Sequence, residues 1–85
     1  MEAEELSEAD LQGLARAVRE DWDTINPTAD AYLEAIEESG AQTPADPVGV
    51  ETAEAQVRHF LAQAGGWKGP RARAVKAELR ERVGL

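Results

Sequence analysis

With 85 residues, the chain has room for one small domain, and the absence of cysteine excludes disulfides, thiolate metal sites and a cysteine nucleophile. A formal net charge of −8 argues against a general nucleic-acid-binding protein. No apolar run approaches the length of a membrane span, and the start at Glu2 is acidic where a signal peptide is basic, so we expect a cytoplasmic protein.

The first predicted helix follows a flexible acidic lead over residues 1–6. Ser7 is the predicted N-cap, because a serine hydroxyl accepts a hydrogen bond from the first helical turn. Apolar residues then recur at helical spacing, which predicts a helix from about Glu8 to Asp23. Its apolar face consists of Leu11, Leu14, Ala15, Val18, Trp22 and Ile25.

The second predicted helix starts at Asn26 and Pro27, since asparagine is a good N-cap and proline is favoured at the first helical position. Gly40 is the glycine expected just beyond its end. Ala29, Tyr32, Leu33 and Ile36 form its apolar face, and Asp30, Glu34 and Glu37 form an acidic row beside that face.

A long loop is predicted at residues 40–49, because Pro44 and Pro47 exclude a helix through it. The third predicted helix runs from about Val50 to Ala64. Gly65 and Gly66 end it, and one of these two glycines is expected in the left-handed conformation. The apolar face of this helix consists of Val50, Ala53, Val57, Phe60, Leu61 and Ala64.

The fourth predicted helix opens at Pro70 and closes at Gly84. Its apolar face consists of Ala72, Val75, Leu79 and Val83. Leu, Ile, Val and Phe total only 16 residues, which places the composition near the boundary of disorder, but four amphipathic faces favour folding. We therefore predict an all-α, compact four-helix domain over residues 7–85.

Catalytic and metal-binding motifs are not evident. His59 falls on a polar helix face without a nucleophile nearby in the sequence, so we expect it to be an exposed surface residue. Asp21 and Asp23 begin like a calcium loop, but Ile25 and Tyr32 occupy positions that need oxygen ligands. We expect neither an enzyme nor a bound cofactor or metal.

Charge is divided between the two parts of the chain. Residues 1–54 carry 15 acids and two bases, whereas residues 68–85 carry six bases and two acids. Arg73, Lys76 and Arg80 form a basic row on one side of the fourth helix. Either these bases pair with acids of the first two helices or they bind an anionic partner. We expect at least one of them to lie near an acid from residues 8–38.

Trp67, in the turn before the fourth helix, has two possible roles. It either completes the core or forms an exposed anchor for a partner, since tryptophan is common at binding hot spots. Together with the basic residues around it, it defines a candidate partner-binding set of Trp67, Lys68, Arg71, Arg73, Lys76 and Arg80.

Three functions remain open. The first is a non-enzymatic small acidic interaction or regulatory module that binds another protein or a second copy of itself, with nucleic acid and membranes not expected as partners. The second is an acidic inhibitor that mimics nucleic acid, through Asp30, Glu34 and Glu37, and blocks a DNA-binding protein. The third is nucleic-acid binding through the basic C-terminal helix.

Two segments carry a resemblance to other proteins. They are Trp22-Asp23-Thr24-Ile25 with Pro27 and Tyr32-Leu33, and the stretch from Val57 to Leu79 with Gly66-Trp67 at its turn. In these segments the chain resembles small uncharacterised helical proteins of high-GC actinobacteria and their phages. The resemblance implies an actinobacterial or phage origin and a helical fold, and it implies no activity, cofactor or site residue.

Overall fold

Five helices and a two-stranded hairpin form the fold in a computed structural model that describes the backbone of residues 2–85 and the side chains of residues 5–85. In chain order they are α1 (Glu2–Glu8), α2 (Leu11–Asp21), α3 (Pro27–Ser39), β1 (Pro47–Val48), β2 (Glu51–Thr52), α4 (Ala53–Gln63) and α5 (Pro70–Arg82). α3 packs mainly on α4, and α2 packs on α3 and α5. The predicted compact helical fold is confirmed.

One hydrophobic core joins the apolar faces of the helices. Its largest fully buried side chains are Phe60, Leu11, Leu14, Val18, Val57 and Val75. The predicted apolar faces are confirmed except at Val50, which is exposed, and at Ile25, Tyr32 and Leu61, which are only partly buried. The helical period of the sequence therefore identified most of the core.

α1 was not predicted. It occupies most of the segment that we expected to be a flexible lead; Met1 lies outside the described residues. The Leu6 side chain is buried, and Arg82 Nη2 donates to the carbonyl oxygens of Leu6 and Ser7, each at 3.1 Å. A helix of this length is not stable alone, so these contacts from a distant part of the chain account for it.

The start of α2 differs from the prediction that Ser7 is its N-cap. Asp10 is the cap: its Oδ1 accepts a hydrogen bond from the Gly13 N–H at 2.8 Å. Both residues can cap a helix, and the intervening corner between α1 and α2 decides which one does.

The predicted ends of α3 are confirmed. Asn26 Oδ1 accepts a hydrogen bond from the Ala29 N–H at 2.8 Å, Pro27 is the first helical residue, and Gly40 has a left-handed φ of 72°. Asn26 Nδ2 also donates to the Gln63 carbonyl at 2.8 Å. One side chain therefore caps α3 and ties its start to the end of α4.

The start of α4 is three residues later than predicted. Val48 pairs with Glu51 in an antiparallel hairpin, and Gly49, with φ of 64°, and Val50 form its turn. Val50 is fully exposed, so its assignment to the core face of the third helix is wrong. Strand pairing across a positive-φ glycine removes these residues from the helix.

The turn between α4 and α5 places its left-handed glycine at Gly69, with φ of 110°, and not at Gly65 or Gly66 as predicted. Gly69 directly precedes Pro70, the first residue of α5. The strained backbone conformation is therefore at the entry to α5, where the chain must change direction into the helix.

Trp67 belongs to the core, with 2% of its surface exposed. Its ring stacks on Trp22 with centroids 5.6 Å apart, and Trp22 meets Phe60 edge to face at 6.2 Å. The Trp67 Nε1–H donates to Asp21 Oδ2 at 2.9 Å, which satisfies the only polar group of the indole. The exposed-anchor alternative for Trp67 is therefore wrong.

Replacement of this indole should reduce stability severely. We expect Trp67→Ala to lower the free energy of unfolding by about 3–5 kcal/mol, because it leaves a cavity beside Trp22 and Phe60. Trp67→Phe keeps a stacked ring and loses the hydrogen bond to Asp21, so it should cost less. Urea unfolding followed by circular dichroism measures both; equal midpoints for wild type and Trp67→Ala would contradict this role.

The hydrogen bonds that Asp46 accepts lead to a prediction of how the free energy of unfolding depends on pH. Its Oδ2 accepts backbone N–H bonds from Gln42 at 2.8 Å and Thr43 at 3.0 Å, and these bonds lower the pKa of Asp46 below its ordinary value. A depressed folded-state pKa stabilises the fold above the unfolded-state pKa, and this stabilisation is lost as pH falls through the folded-state value.

We therefore expect Asp46→Asn to flatten the fall in unfolding free energy below about pH 4, since asparagine still accepts a hydrogen bond but does not titrate there. Asp23→Asn is the control, because the exposed Asp23 makes no hydrogen bond with the described side chains. An acid limb that Asp46→Asn leaves as steep as that of Asp23→Asn would contradict the prediction.

Candidate functional site

The basic residues divide into paired and unpaired groups. Among the described residues, the ion-paired bases are Arg19 with Asp30 and Glu37, Arg58 with Glu54, Arg71 with Glu20, and Arg82 with Glu78. Five bases form no ion pair with a described side chain: Arg16, Lys68, Arg73, Lys76 and Arg80. Four of those five belong to α5 and the turn before it.

Lys68, Arg73, Lys76 and Arg80 form one surface, which we name the cationic face. Arg73, Lys76 and Arg80 share one side of α5 because they lie three, four and seven residues apart. Lys68, Arg73 and Arg80 are exposed, and Lys76 is partly buried between them. Arg73 and Arg80 are two helical turns, about 10.5 Å, apart along the axis.

We expected at least one base of this row to lie near an acid of residues 8–38, but among the described side chains none of the three forms an ion pair with such an acid. α5 turns its other side toward α2, where Arg71 lies 3.7 Å from Glu20. Two of the four acids of α3, Asp30 and Glu37, bind Arg19 instead. Packing therefore directs the cationic face away from the acids that we expected it to meet.

Lys76 joins the cationic face to the fold. Its Nζ donates to the carbonyl oxygens of Ala64, at 2.7 Å, and Trp67, and it lies 5.8 Å from the centre of the Trp67 ring. The Ala64 carbonyl lies at the end of α4, where the helix supplies no further N–H partner. Partial burial lowers the pKa of Lys76, and the positive charges of Arg80 and Lys68 lower it further. Three cations thus act on one another across a small area.

The structure separates the six predicted partner-binding residues. Lys68, Arg73, Lys76 and Arg80 form the cationic face. Trp67 lies beneath it in the core, and Arg71 lies on the opposite flank of α5 against α2. The helical wheel distinguished the two flanks of α5, but the sequence did not show which flank meets α2.

Arg19 binds two of the three acids of the proposed mimic surface and cancels one of their three negative charges. Asp30 and Glu37 both bind Arg19, with Glu37 Oε1 at 2.7 Å from Arg19 Nη2. The hydrogen bonds that Arg19 donates to Glu37, and to a smaller extent the one it donates to Asp30, raise the pKa of Arg19 above its ordinary value. Of the three predicted acids, Glu34 is the one outside this cluster, and the shared contact with Arg19 breaks the row of evenly free carboxylates that mimicry of phosphates would need.

His59 is exposed, as predicted, and it stacks on Tyr32 with ring centroids 5.0 Å apart. In the described part of the chain, no three His, Asp or Glu side chains converge into a group able to hold a metal ion. The contact of His59 is with an aromatic ring rather than with a nucleophile or an orienting carboxylate.

A surface cleft of about 240 Å³ lies on the outer side of α5. It is lined by Leu6, Ala74, Ala77, Glu78 and Glu81. By contrast, the void inside the core measures about 10 Å³, room for one water at most. The sequence analysis missed this cleft, because it depends on α1 placing Leu6 beside α5.

No protein-family model, curated protein sequence or solved structure matches the chain significantly. Similarity therefore assigns it no family and no function, and the resemblance to small actinobacterial and phage proteins stays a prediction. Over the described residues, each helix is too short or too polar to cross a bilayer.

The closeness of the cations can be tested without a partner. We expect Arg80→Gln to raise the pKa of Lys76, because it removes a neighbouring positive charge that disfavours the ammonium form. Side-chain NMR titration of Lys76 measures this. Arg16→Gln, which removes an exposed charge from α2, should leave the pKa of Lys76 unchanged; the same value in all three proteins would show that Arg80 is too far away to matter.

Proposed function

We propose that the chain is a non-enzymatic interaction module that binds an acidic segment of a partner protein through the cationic face. The observation that carries the proposal is the clustering, on one surface, of four bases that form no ion pair with the side chains of residues 5–85, in a protein with 17 acids and a net charge of −8. Carboxylates on a partner would supply the ion pairs that the described acids of this chain do not form with these four bases.

The cationic face is suited to speeding the encounter with a partner and orienting it, more than to providing high affinity. An exposed ion pair contributes only about 0.2–1 kcal/mol, so three or four such pairs do not hold a complex by themselves. Charges clustered on one face do increase the rate of encounter and orient the partner. Lys76, held by two carbonyls and lying over Trp67, gives the face a fixed centre.

The rival functions have weaker support. Binding of nucleic acid by the same face is opposed by the net charge of −8, because a long nucleic acid extends beyond the cationic face to the acidic remainder of the surface, whereas a short acidic segment stays on the face. Mimicry of nucleic acid has weaker support because two of its three candidate acids, Asp30 and Glu37, form ion pairs with Arg19. The proposal also includes a cytoplasmic location, which fits a chain without cysteine.

Two charge reversals test the proposal. Arg80→Glu and Arg16→Glu change the net charge equally, and both positions are exposed, but only Arg80 belongs to the cationic face. With a fluorescent polyglutamate peptide as probe, we expect Arg80→Glu to weaken binding about tenfold or more and Arg16→Glu to weaken it far less. Binding of wild type should also weaken as salt is raised.

Equal weakening by both reversals would show that net charge, and not the cationic face, governs binding, and would overturn the proposal. A DNA duplex that binds more tightly than polyglutamate and loses affinity with Arg80→Glu would favour the nucleic-acid function instead. Sedimentation of the wild type alone at low salt determines whether the acidic segment belongs to a second copy.

A further inference from the structure

We infer that the partner segment is an amphipathic α-helix that lies along α5, with one large apolar side chain in the cleft beside Ala74 and Ala77 and with carboxylates on Arg73 and Arg80. This inference rests on the proposed function and specifies the partner that the surface fits. The inference combines two independent features of α5: the cations Arg73 and Arg80, which form no ion pair with a described side chain, and the cleft beside them.

The cleft and the cations lie next to each other on the helix. Ala77 follows Arg73 by four residues and precedes Arg80 by three, so all three share one side of α5. The cleft of about 240 Å³ has an apolar floor of Leu6, Ala74 and Ala77. A single leucine-sized side chain placed there would lose its contact with water while its neighbours reach the two arginines.

A helix suits this surface better than an extended strand. Within α5 the backbone N–H and C=O groups are used by the helix itself, so they are not available for strand pairing. Alanine side chains allow a second helix to approach to an axial distance of about 8 Å. Carboxylates two turns apart on that helix would repeat at about 10.5 Å, which is the spacing of Arg73 and Arg80.

The presence of both positive and negative side chains around the cleft favours a protein partner. Arg73 and Arg80 lie beside the cleft, next to Ala77, and the exposed Glu81 is one of its lining residues. Glu78, also at the cleft, is paired with Arg82 at 2.8 Å. A helix with acids on one flank and bases on the other can pair with the two arginines and with Glu81, whereas a nucleic-acid strand carries phosphates that Glu81 would repel.

A designed peptide provides the probe. It is an alanine-based, side-chain-stapled helix of about four turns, with one central leucine, glutamates along one flank and lysines along the other. A matched probe replaces the leucine with glutamine. Fluorescence anisotropy gives the affinity, and amide chemical shifts of the full chain show where the probe binds.

Ala77→Gln and Ala62→Gln form the matched pair of variants. Both alanines are exposed on helices, and glutamine is a good helix former without charge, so both variants should fold. Only Ala77 lines the cleft. We expect Ala77→Gln to weaken the leucine probe about tenfold and to leave the glutamine probe nearly unchanged, while Ala62→Gln changes neither.

The outcomes separate this inference from the function on which it rests. Leucine and glutamine probes of equal affinity, or an Ala77→Gln variant that binds like wild type, would overturn the helix-in-cleft inference. If polyglutamate binding still depended on Arg80 in that case, the cationic face would remain a binding surface without the cleft. Loss of Arg80 dependence for every acidic probe would overturn the proposed function as well.

Discussion

The contact between Trp22 and Trp67 determines how the rest of the structure is arranged. Trp22 follows the last residue of α2, and Trp67 lies in the turn between α4 and α5, so their stacked rings join parts of the chain that are distant in sequence. Phe60 of α4 meets the edge of Trp22. In a domain of 85 residues, where little surface is available for burial, three aromatic rings supply a large share of the core.

This aromatic cluster also sets the position of the cationic face. With Trp67 held against α2 by stacking and by its hydrogen bond to Asp21, the turn before α5 has a fixed direction. Lys76 can then reach the carbonyls of Ala64 and Trp67, which leaves Lys68 and Arg80 on the solvent side. The same contacts that bury the tryptophans therefore expose the cations.

Some of the ion pairs are local to one helix, such as Arg58 with Glu54, whereas those of Arg19 and Arg71 join different helices and depend on packing. Arg19 takes two acids of α3, and Arg82 binds both Glu78 and the end carbonyls of α1. These bases stabilise the fold or neutralise its acids. Arg73, Lys76 and Arg80 of α5 form no ion pair with a described side chain, and with Lys68 they make the surface from which we propose a function.

The sequence by itself determined the helical class, most of the core and the ends of α3, because these depend on local periodicity and on capping by Asn26 and Gly40. Tertiary contacts decided the remainder. α1 exists because Leu6 and Arg82 meet across the fold, and α4 starts late because Val48 pairs with Glu51. The direction in which each flank of α5 points also follows from packing, since a helical wheel gives angles within one helix and not the neighbours around it. Whether Trp67 was core or anchor, and whether Arg80 was paired or free, could be decided only by the three-dimensional arrangement of residues far apart in the chain.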